Sequence, residues 1–477
     1  MMNSRRDFLK LSGLSGVGLA GGSGLLHCSK QKDREDIAVV SRRREKAHVQ
    51  RFNMSGFAAP PLEIVRVGII GTGQRGPAYV RNLKHIEGVE IRALCDLRPE
   101  KLQSARALLD GTLHRPDLYT GAEDWKRVCE RNDIDVVVLT TPFYMHAPMA
   151  VYAMKCGKHA VSEVPAAATI EECWDLVETA EKTKRHCIMM ENMSYLPFQL
   201  LTLNMARQGV FGTVVHGDCA YNTSKMANNF SKTMYWDMWW LRQYASRRGN
   251  IYPTHGLGPV GLIMNINRGD KFEFLVSVES NDFMMQAKAR ELAETDDFFK
   301  PFAEKTYRGN MNVTTIRTTM GRTIMLQHDA TDPSPHAYIH GIYGTKGSAL
   351  FDPQPPRLAV GKHAWVSAEE FKELEETYTA KITRQMTESA QRIGAGHAGT
   401  DLLEMWRLID CLHNGLPLDM DVYDAAAYSC IVPLSQWSVL NRSNSIDIPD
   451  FTAGAWKSNP LNMDINLQRG GNTPIIA

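Results

Sequence analysis

No stretch of this sequence stays apolar for the roughly 20 residues that a membrane-spanning helix needs, and neither sign of charge prevails. The 54 Lys and Arg residues are met by 53 Asp and Glu, a formal net charge of +1. That balance offers no field to gather nucleic acid or an anionic membrane. Nine cysteines stand singly, with no C-x-x-C pair and no Cys/His cluster at ligand spacing. Neither a disulfide framework nor a metal site is therefore predicted, and the thiols read as core residues of a chain folded in a reducing compartment. Internal repeats are missing too. What 477 residues leave room for is two domains with substantial cores, plus extras.

What is present is gathered first in residues 64–76, IVRVGIIGTGQRG. Residues 64–69 are mostly apolar and β-branched, as suits a strand buried on both faces. Gly71, Gly73 and Gly76 follow in G-x-G-x-x-G spacing, and residues 77–85 have an amphipathic, helical pattern. Glycines so placed allow a tight turn and let the backbone meet a pyrophosphate at a helix N-terminus. Gln74 and Arg75 lie inside that turn. A second apolar run, 89–95, ends in Asp96, placed to accept hydrogen bonds from an adenosine ribose. The unit predicts a dinucleotide site; Asp96 favours NAD, with Arg98 leaving NADP as the alternative.

Ahead of this unit, Ser4-Arg5-Arg6-Asp7-Phe8-Leu9-Lys10 resembles a twin-arginine export signal, and a Gly-rich, weakly apolar stretch follows at 11–26. Leu25-Leu26-His27-Cys28 is similar to a lipoprotein box, with His27 where a small residue is usual, so a lipid anchor at Cys28 stays open. Residues 1–28 are set aside as an address, and the charged, then Pro-rich 29–60 reads as a linker or arm. Twin-arginine substrates cross the membrane folded, which fits the unpaired cysteines and predicts a periplasmic protein. No NAD pool exists there. The cofactor must travel with the chain, stay tightly bound and be regenerated in each cycle.

Beyond Asp96 the α/β alternation continues, with helical runs at 99–109 and 125–131 and a buried strand at 135–140. Phe143 and His146 follow that strand's carboxyl end, where ligands of such sheets sit, and are expected at the cofactor. Strands at 159–162 and 187–190 enclose a helix at 170–184, and 61–192 is predicted to be a Rossmann domain. Residues 193–477 change character, with strand patterns at 214–221, 274–280, 312–319, 323–329 and 338–343. A mostly antiparallel open sheet in an α+β domain is expected, with helices at 400–414 and 421–440 packing back on the first domain. An open sheet face also predicts a homo-oligomer. His328-Asp329 is a tempting dyad, but neighbours in a strand point to opposite faces, so the pair is read as structural.

Residues 64–192 followed by an antiparallel domain resemble the Gfo/Idh/MocA oxidoreductase family. Its dehydrogenases carry Glu-Lys-Pro at the end of the fifth strand, where the lysine helps activate a hydroxyl. Here the triplet is Glu163-Val164-Pro165, and valine carries neither proton nor charge. The family's D-x-G-x-H run gives way to Tyr252-Pro253-Thr254-His255-Gly256. These departures, with GTGQRG, WWLRQ and YPTHGLGPV, are similar to glycoside hydrolase family 109 over about residues 50–477.

That resemblance implies an exported, NAD-dependent α-N-acetylgalactosaminidase acting on small or oligosaccharide substrates with terminal N-acetylgalactosamine. An ordinary glycosidase needs two carboxylates straddling the scissile bond, and no acidic pair stands out. The implied route holds NAD throughout. Transient oxidation at the sugar C3 acidifies the C2 proton, a base removes it, the aglycone is eliminated, water adds and C3 is reduced again. Gly71, Gly73, Gln74, Arg75, Gly76, Asp96, Phe143, His146, Glu163, Val164 and Asn192 are assigned to the cofactor. His255 is the expected proton-transfer group, since imidazole titrates near working pH, and Tyr252 shares the relay. Tyr195, Tyr221, Arg242 and Tyr338, with Tyr252 and His255, are the expected substrate contacts. The rival readings are an exported sugar oxidoreductase with a trapped cofactor, and a sugar-binding protein without turnover.

Overall fold

Short runs rich in Val, Ile and Ala pair side by side as a first, wholly parallel sheet. In the computed structural model, which describes residues 36–333, 337–396 and 399–476, its strands are β1 (Val65–Ile70), β2 (Val89–Cys95), β3 (Asp117–Tyr119), β4 (Val136–Leu139), β5 (His159–Ser162) and β6 (Cys187–Met189). Their order is 3-2-1-4-5-6, the doubly wound Rossmann order. Register pairs Ile70 with Cys95 and Leu139, Leu139 with Ser162, and Ser162 with Met189. Gly71, Asp96, Thr140, Glu163 and Met190 therefore leave the sheet along one edge. The twin-arginine segment and Cys28 lie outside the described residues.

Helix α1 (Ile37–Ala47) precedes the sheet, and α2 (Gly76–Leu83), α3 (Pro99–Ala107), α4 (Asp124–Glu130), α5 (His146–Lys155) and α6 (Ile170–Thr183) flank it. The expected arm is docked from α1 onward: Arg44 pairs with Asp175 at 2.9 Å, and the Arg51 N–H donates to Glu181 at 3.0 Å. Helix α6 starts at a capping box in which Thr169 and Glu172 satisfy each other's backbone donors.

After α7 (Pro197–Arg207) comes the second sheet: β7 (Val214–Asn222), β8 (Phe272–Glu279), β9 (Met311–Thr318), β10 (Thr323–Asp329), β11 (His340–Gly344), β12 (Gly347–Leu350), β13 (Arg357–Val360) and β14 (Ile446–Asp447). It is antiparallel except where β7 and β10 run together. Between β7 and β8 lie α8 (Met226–Asn229), α9 (Trp239–Ser246) and α10 (Thr254–Ile263). The first two belong to a satellite core of Phe230, Met238, Leu241, Tyr244 and Ile251 that is separate from the main one. Next in order are α11 (Met285–Ala293), α12 (Lys300–Ala303), α13 (Ala368–Tyr378), α14 (Lys381–Arg392), α15 (Thr400–Asn414), α16 (Val422–Ser429) and α17 (Ile431–Leu440).

Helix α15 packs on α2, and α16 on α6. The single helix expected at 421–440 is two, because Pro433 has no N–H for the Ser429 carbonyl that a continuous helix would engage. Among the described residues the eight cysteines are free thiols, and no helix is long and apolar enough to cross a membrane.

Candidate functional site

The glycine turn at the end of β1 is shaped by two positions where no side chain fits. Gly71 has φ +95°, and a Cβ there would stand 2.8 Å from the Thr140 carbonyl group. A Cβ on Gly76, the first residue of α2, would collide with the Gly71 carbonyl oxygen. Asp96 ties the turn to β2: its Oδ2 accepts the Thr72 N–H at 2.7 Å and its Oδ1 the Arg98 N–H at 2.9 Å. A carboxylate has about four acceptor sites, so the group retains capacity for ribose hydroxyls.

Thr141–His146 form the neighbouring rim. Phe143 is buried, and its ring lies 5.7 Å from that of Trp239 and 5.5 Å from that of Trp240. His146 is buried between two loops, with Nδ1 2.8 Å from the Pro165 carbonyl oxygen and Nε2 2.8 Å from that of Thr141. Burial lowers its pKa. It braces the rim by joining the two loops.

Arg75 knots the same edge to α15. Its Nε donates to Glu163 Oε1 at 2.6 Å and its Nη1 to Asp401 Oδ2 at 3.0 Å, while Asn192 Nδ2 donates to Asp401 Oδ1 at 2.7 Å. Burial opposes the guanidinium charge, but Glu163 and Asp401 outweigh it and hold the pKa above its ordinary value. Glu404, one turn along α15, is pushed well up by burial and then by Asp401, Glu163 and Glu191. Gln74 reaches outward, its Nε2 donating to the Met234 carbonyl at 3.0 Å. Gly71, Gly73, Gln74, Arg75, Asp96, Phe143, His146, Glu163, Val164 and Asn192 thus line one cavity of about 840 Å³; Gly76, expected with them, does not line it and serves the turn instead.

The opposite wall begins at α10. His255 sits in its first turn. Its Nδ1 lies 2.9 Å from Oε1 of Glu191, a carboxylate with no exposed side-chain surface, and its Nε2 lies 3.1 Å from the Tyr252 hydroxyl. A Cβ on Gly258, one turn on, would run into the Glu191 side chain, so glycine there lets α10 approach the carboxylate. Burial, then Tyr221, Glu163 and Glu191, raises Tyr252 well above the usual phenol range. The phenol is therefore the donor to Nε2, and Nδ1–H donates to Glu191. This makes a three-member proton path whose open end faces the cavity.

Aromatic rings surround that path. Tyr221 lies 5.3 Å from Tyr252, 5.1 Å from His255 and 5.3 Å from Tyr338, and Trp240 lies 5.3 Å from Tyr252. Burial pushes Tyr338 up to about 12. His328 pairs in register with Tyr221 and so shares its face of the sheet, lining the cavity, while Asp329 turns away to bond Thr331. Opposite faces hold as expected, but His328 is part of the site. Lys225 also lines the wall, its ammonium 6.0 Å from the Tyr221 ring centroid.

Two expected contacts lie elsewhere. Tyr195 is buried beneath α15, with its hydroxyl on Asp419 at 3.2 Å, and does not reach the cavity. Arg242 stands about 200° round α9 from Trp240. Its Nε and Nη2 bond the Asp237 carbonyl and carboxylate at 2.8 Å, and its guanidinium lies over Phe302. Glu191, Asp401 and Asn229 are not among the site residues expected from sequence, and His328 is read there as structural; Glu191, beside Asn192 at a strand's end, and His328, beside Asp329, are the two that carry a signal in the sequence.

Residues 65–191 match the model for the "Oxidoreductase family, NAD-binding Rossmann fold", and residues 195–458 match "Glycosyl hydrolase 109, C-terminal domain". A "Glycosyl hydrolase family 109 protein" of Shewanella pealeana is 41% identical over 96% of this chain and 98% of its own length. An "Alpha-N-acetylgalactosaminidase" of Bacteroides fragilis is 46% identical over 84% of this chain and 95% of its own. Among solved structures, levoglucosan dehydrogenase in complex with NADH superposes with a TM-score of 0.60 at 17% identity, over 81% of this chain and 99% of that one. That last likeness is one of fold alone.

Proposed function

The chain belongs to glycosyl hydrolase family 109, and from that premise we propose that it is an exported α-N-acetylgalactosaminidase that works with a permanently held NAD. The observation that carries this reading is the Tyr252–His255–Glu191 path, which opens into the same cavity as the dinucleotide turn. The glycine cradle and Asp96 fit a dinucleotide, since side chains at Gly71 and Gly76 would fill the space the turn needs. Gly71, Gly73 and Asp96 would hold its phosphates and adenosine ribose, with Phe143, Glu163, Val164 and Asn192 around the remainder.

Bound NAD supplies reversible hydride acceptance at the sugar C3, which makes the C2 proton acidic. The protein's own residues handle protons. Tyr252 accepts one from the substrate as its hydroxyl proton passes to His255 Nε2, and Glu191 at Nδ1 balances the imidazolium that forms. The C3 hydroxyl proton leaves to solvent. The C2 proton enters the Tyr252–His255 path as the C1–aglycone bond breaks, and passes on to the departing aglycone oxygen. Water then adds hydroxide at C1 and a proton at C2, and C3 takes its hydroxyl proton back from solvent. The return of protons through His255 and Tyr252 restores the starting state. Val164, buried in the cavity wall where related dehydrogenases have lysine, favours this use of the histidine path over ordinary alcohol oxidation.

Export through the twin-arginine route to the periplasm requires the cofactor to stay bound, at a Kd below ~1 nM, or about −12 kcal/mol. The test is direct. Purified protein with no NAD added should cleave an aryl α-N-acetylgalactosaminide and release close to one NAD per chain on denaturation. Inactive protein, or activity only with millimolar NAD, contradicts the proposal.

A further inference from the structure

One segment of the second domain touches all three of the loops that shape the dinucleotide half of the cavity. It runs from 231 to 240, between α8 and α9, and Met234, Trp236, Trp239 and Trp240 line the cavity from it. On the glycine turn, the Gln74 side chain donates to the Met234 carbonyl at 3.0 Å. After β2, the Arg98 guanidinium lies 6.0 Å from the centroid of the Trp236 ring, within cation–π range. After β4, the Trp239 ring lies 5.7 Å from that of Phe143 and 6.3 Å from that of Tyr144. A dinucleotide lies across these strand ends, so the segment bridges the place it would occupy.

The ends of the segment are fixed more firmly than its middle. Lys232 pairs with Asp296 and lies over Phe298, and Met238 is buried in the satellite core. Between them, Trp236 is 47% exposed and belongs to neither core. Asp237 and Met238 then hold left-handed backbone, φ +49° and +48°, which residues with a Cβ adopt only under constraint. What joins the middle to the first domain is the Gln74 hydrogen bond and the Arg98 contact, so lifting it opens no core. Elements held by so little open locally far more often than the whole fold does. Arg98 is placed as the catch. Its Nε lies 3.5 Å from Asp96, and a Cβ on Gly73 would stand 2.8 Å from its Nη2, so the guanidinium reaches from the ribose acceptor and the glycine turn to Trp236.

We propose that residues 231–240 are a strap over the bound dinucleotide, latched by Arg98 against Trp236, and that parting of this latch sets how fast the cofactor leaves. Retention of the cofactor is then kinetic and resides in the second domain as well as in the glycine turn. Gln74, expected at the cofactor, serves the strap too. The inference rests on the retained NAD of the proposed function, but it is read from cofactor exchange and not from turnover.

The purified holoprotein is held in an excess of nicotinamide-deuterated NAD, and the unlabelled NAD left on the protein is followed by mass spectrometry. Trp236→Ala should speed exchange by at least about tenfold. Trp236→Phe keeps a ring face for the guanidinium and should stay within about threefold of the unaltered protein. Arg98→Gln should also speed exchange, and adding Trp236→Ala to it should contribute less than about twofold, since one latch parts only once. Exchange in Trp236→Ala within about twofold of the unaltered protein overturns the strap. Factors that multiply in the double variant overturn it as well, because they mark two separate contacts. Should Arg98→Gln fail to fold, the two Trp236 variants, which touch neither core, decide alone. Unaltered protein that carries no NAD, or exchanges it within seconds, overturns the strap together with the retained cofactor. A strap that meets these expectations in a protein that cleaves no glycoside is upheld, and the glycosidase is refuted.

Discussion

The two walls of the cavity are built by different means. The cofactor wall is backbone: a glycine turn, the ends of parallel strands and one carboxylate holding two N–H groups. The catalytic wall is side chains, brought from β6, β7, α8, α10 and β10 and packed against a satellite aromatic core. The first kind of wall is specified within about thirty residues and tolerates almost nothing at its glycines. The second depends on contacts between distant segments, so its members can be exchanged one at a time. Variants in the two walls should therefore fail differently.

The largest effect is expected at the cofactor wall. Asp96→Ala removes the acceptor of both the Thr72 and Arg98 N–H groups, and retained NAD should fall below about a tenth of a molecule per chain. Activity should vanish with it and return in part on adding NAD; normal NAD content would erase the distinction between the walls. His255→Ala should lower kcat by about 10²–10⁴-fold while released NAD stays near one per chain. Full turnover in that variant would leave the proton path without its central member.

Smaller losses should come from the groups that position His255. Gly258→Ala forces a methyl into the Glu191 side chain, and a kcat decrease of about tenfold with unchanged NAD is expected, as for a displaced general acid–base partner. An unchanged kcat would mean that Glu191 does not orient the imidazole. The smallest effects belong to the residues the fold removed from the site: Tyr195→Phe and Arg242→Ala should leave kcat/KM within about twofold, with Tyr195→Phe costing ~1 kcal/mol of stability for one hydrogen bond.

Acid should affect both regions alike. Burial lowers His159, in the parallel sheet, to about 4 and His328 and His340, in the second sheet, to about 3. These rings are neutral in the fold and become protonated in the unfolded chain below about pH 6.5. The unfolded state then binds more protons, so stability falls as pH drops from about 6.5 toward 3–4, by ~1.4 kcal/mol per pH unit for each ring. Thermal unfolding followed between pH 7 and 5 should show this decline, and His340→Leu should make it shallower.

The same contrast explains what could be read from sequence. Strand, glycine turn, helix and Asp96 are one local unit, so the turn and the first two parallel strands are legible in residues 64–96 alone, whereas the three-residue edge strand β3 is too short to show in the sequence. Asp401 stands 326 positions from Arg75, and no local pattern joins them. His328 was misjudged because strand alternation tells that two neighbours diverge but not which of them meets a ligand. Tyr195 and Arg242 were plausible by type and proximity to a pattern; burial under α15 and helical phase, which type does not reveal, removed them. Short strands such as β12 and β13, four residues each, have too few alternations to be distinguished from loop.

The central claim, hydrolysis through loss of the C2 proton into the Tyr252–His255–Glu191 path, is tested most directly by running the reaction in D₂O. Released N-acetylgalactosamine should carry deuterium at C2, delivered from solvent, and none at C3, where the original hydrogen returns. Cleavage that leaves C2–H intact, and that shows no isotope effect when the substrate is deuterated at C2, would contradict it.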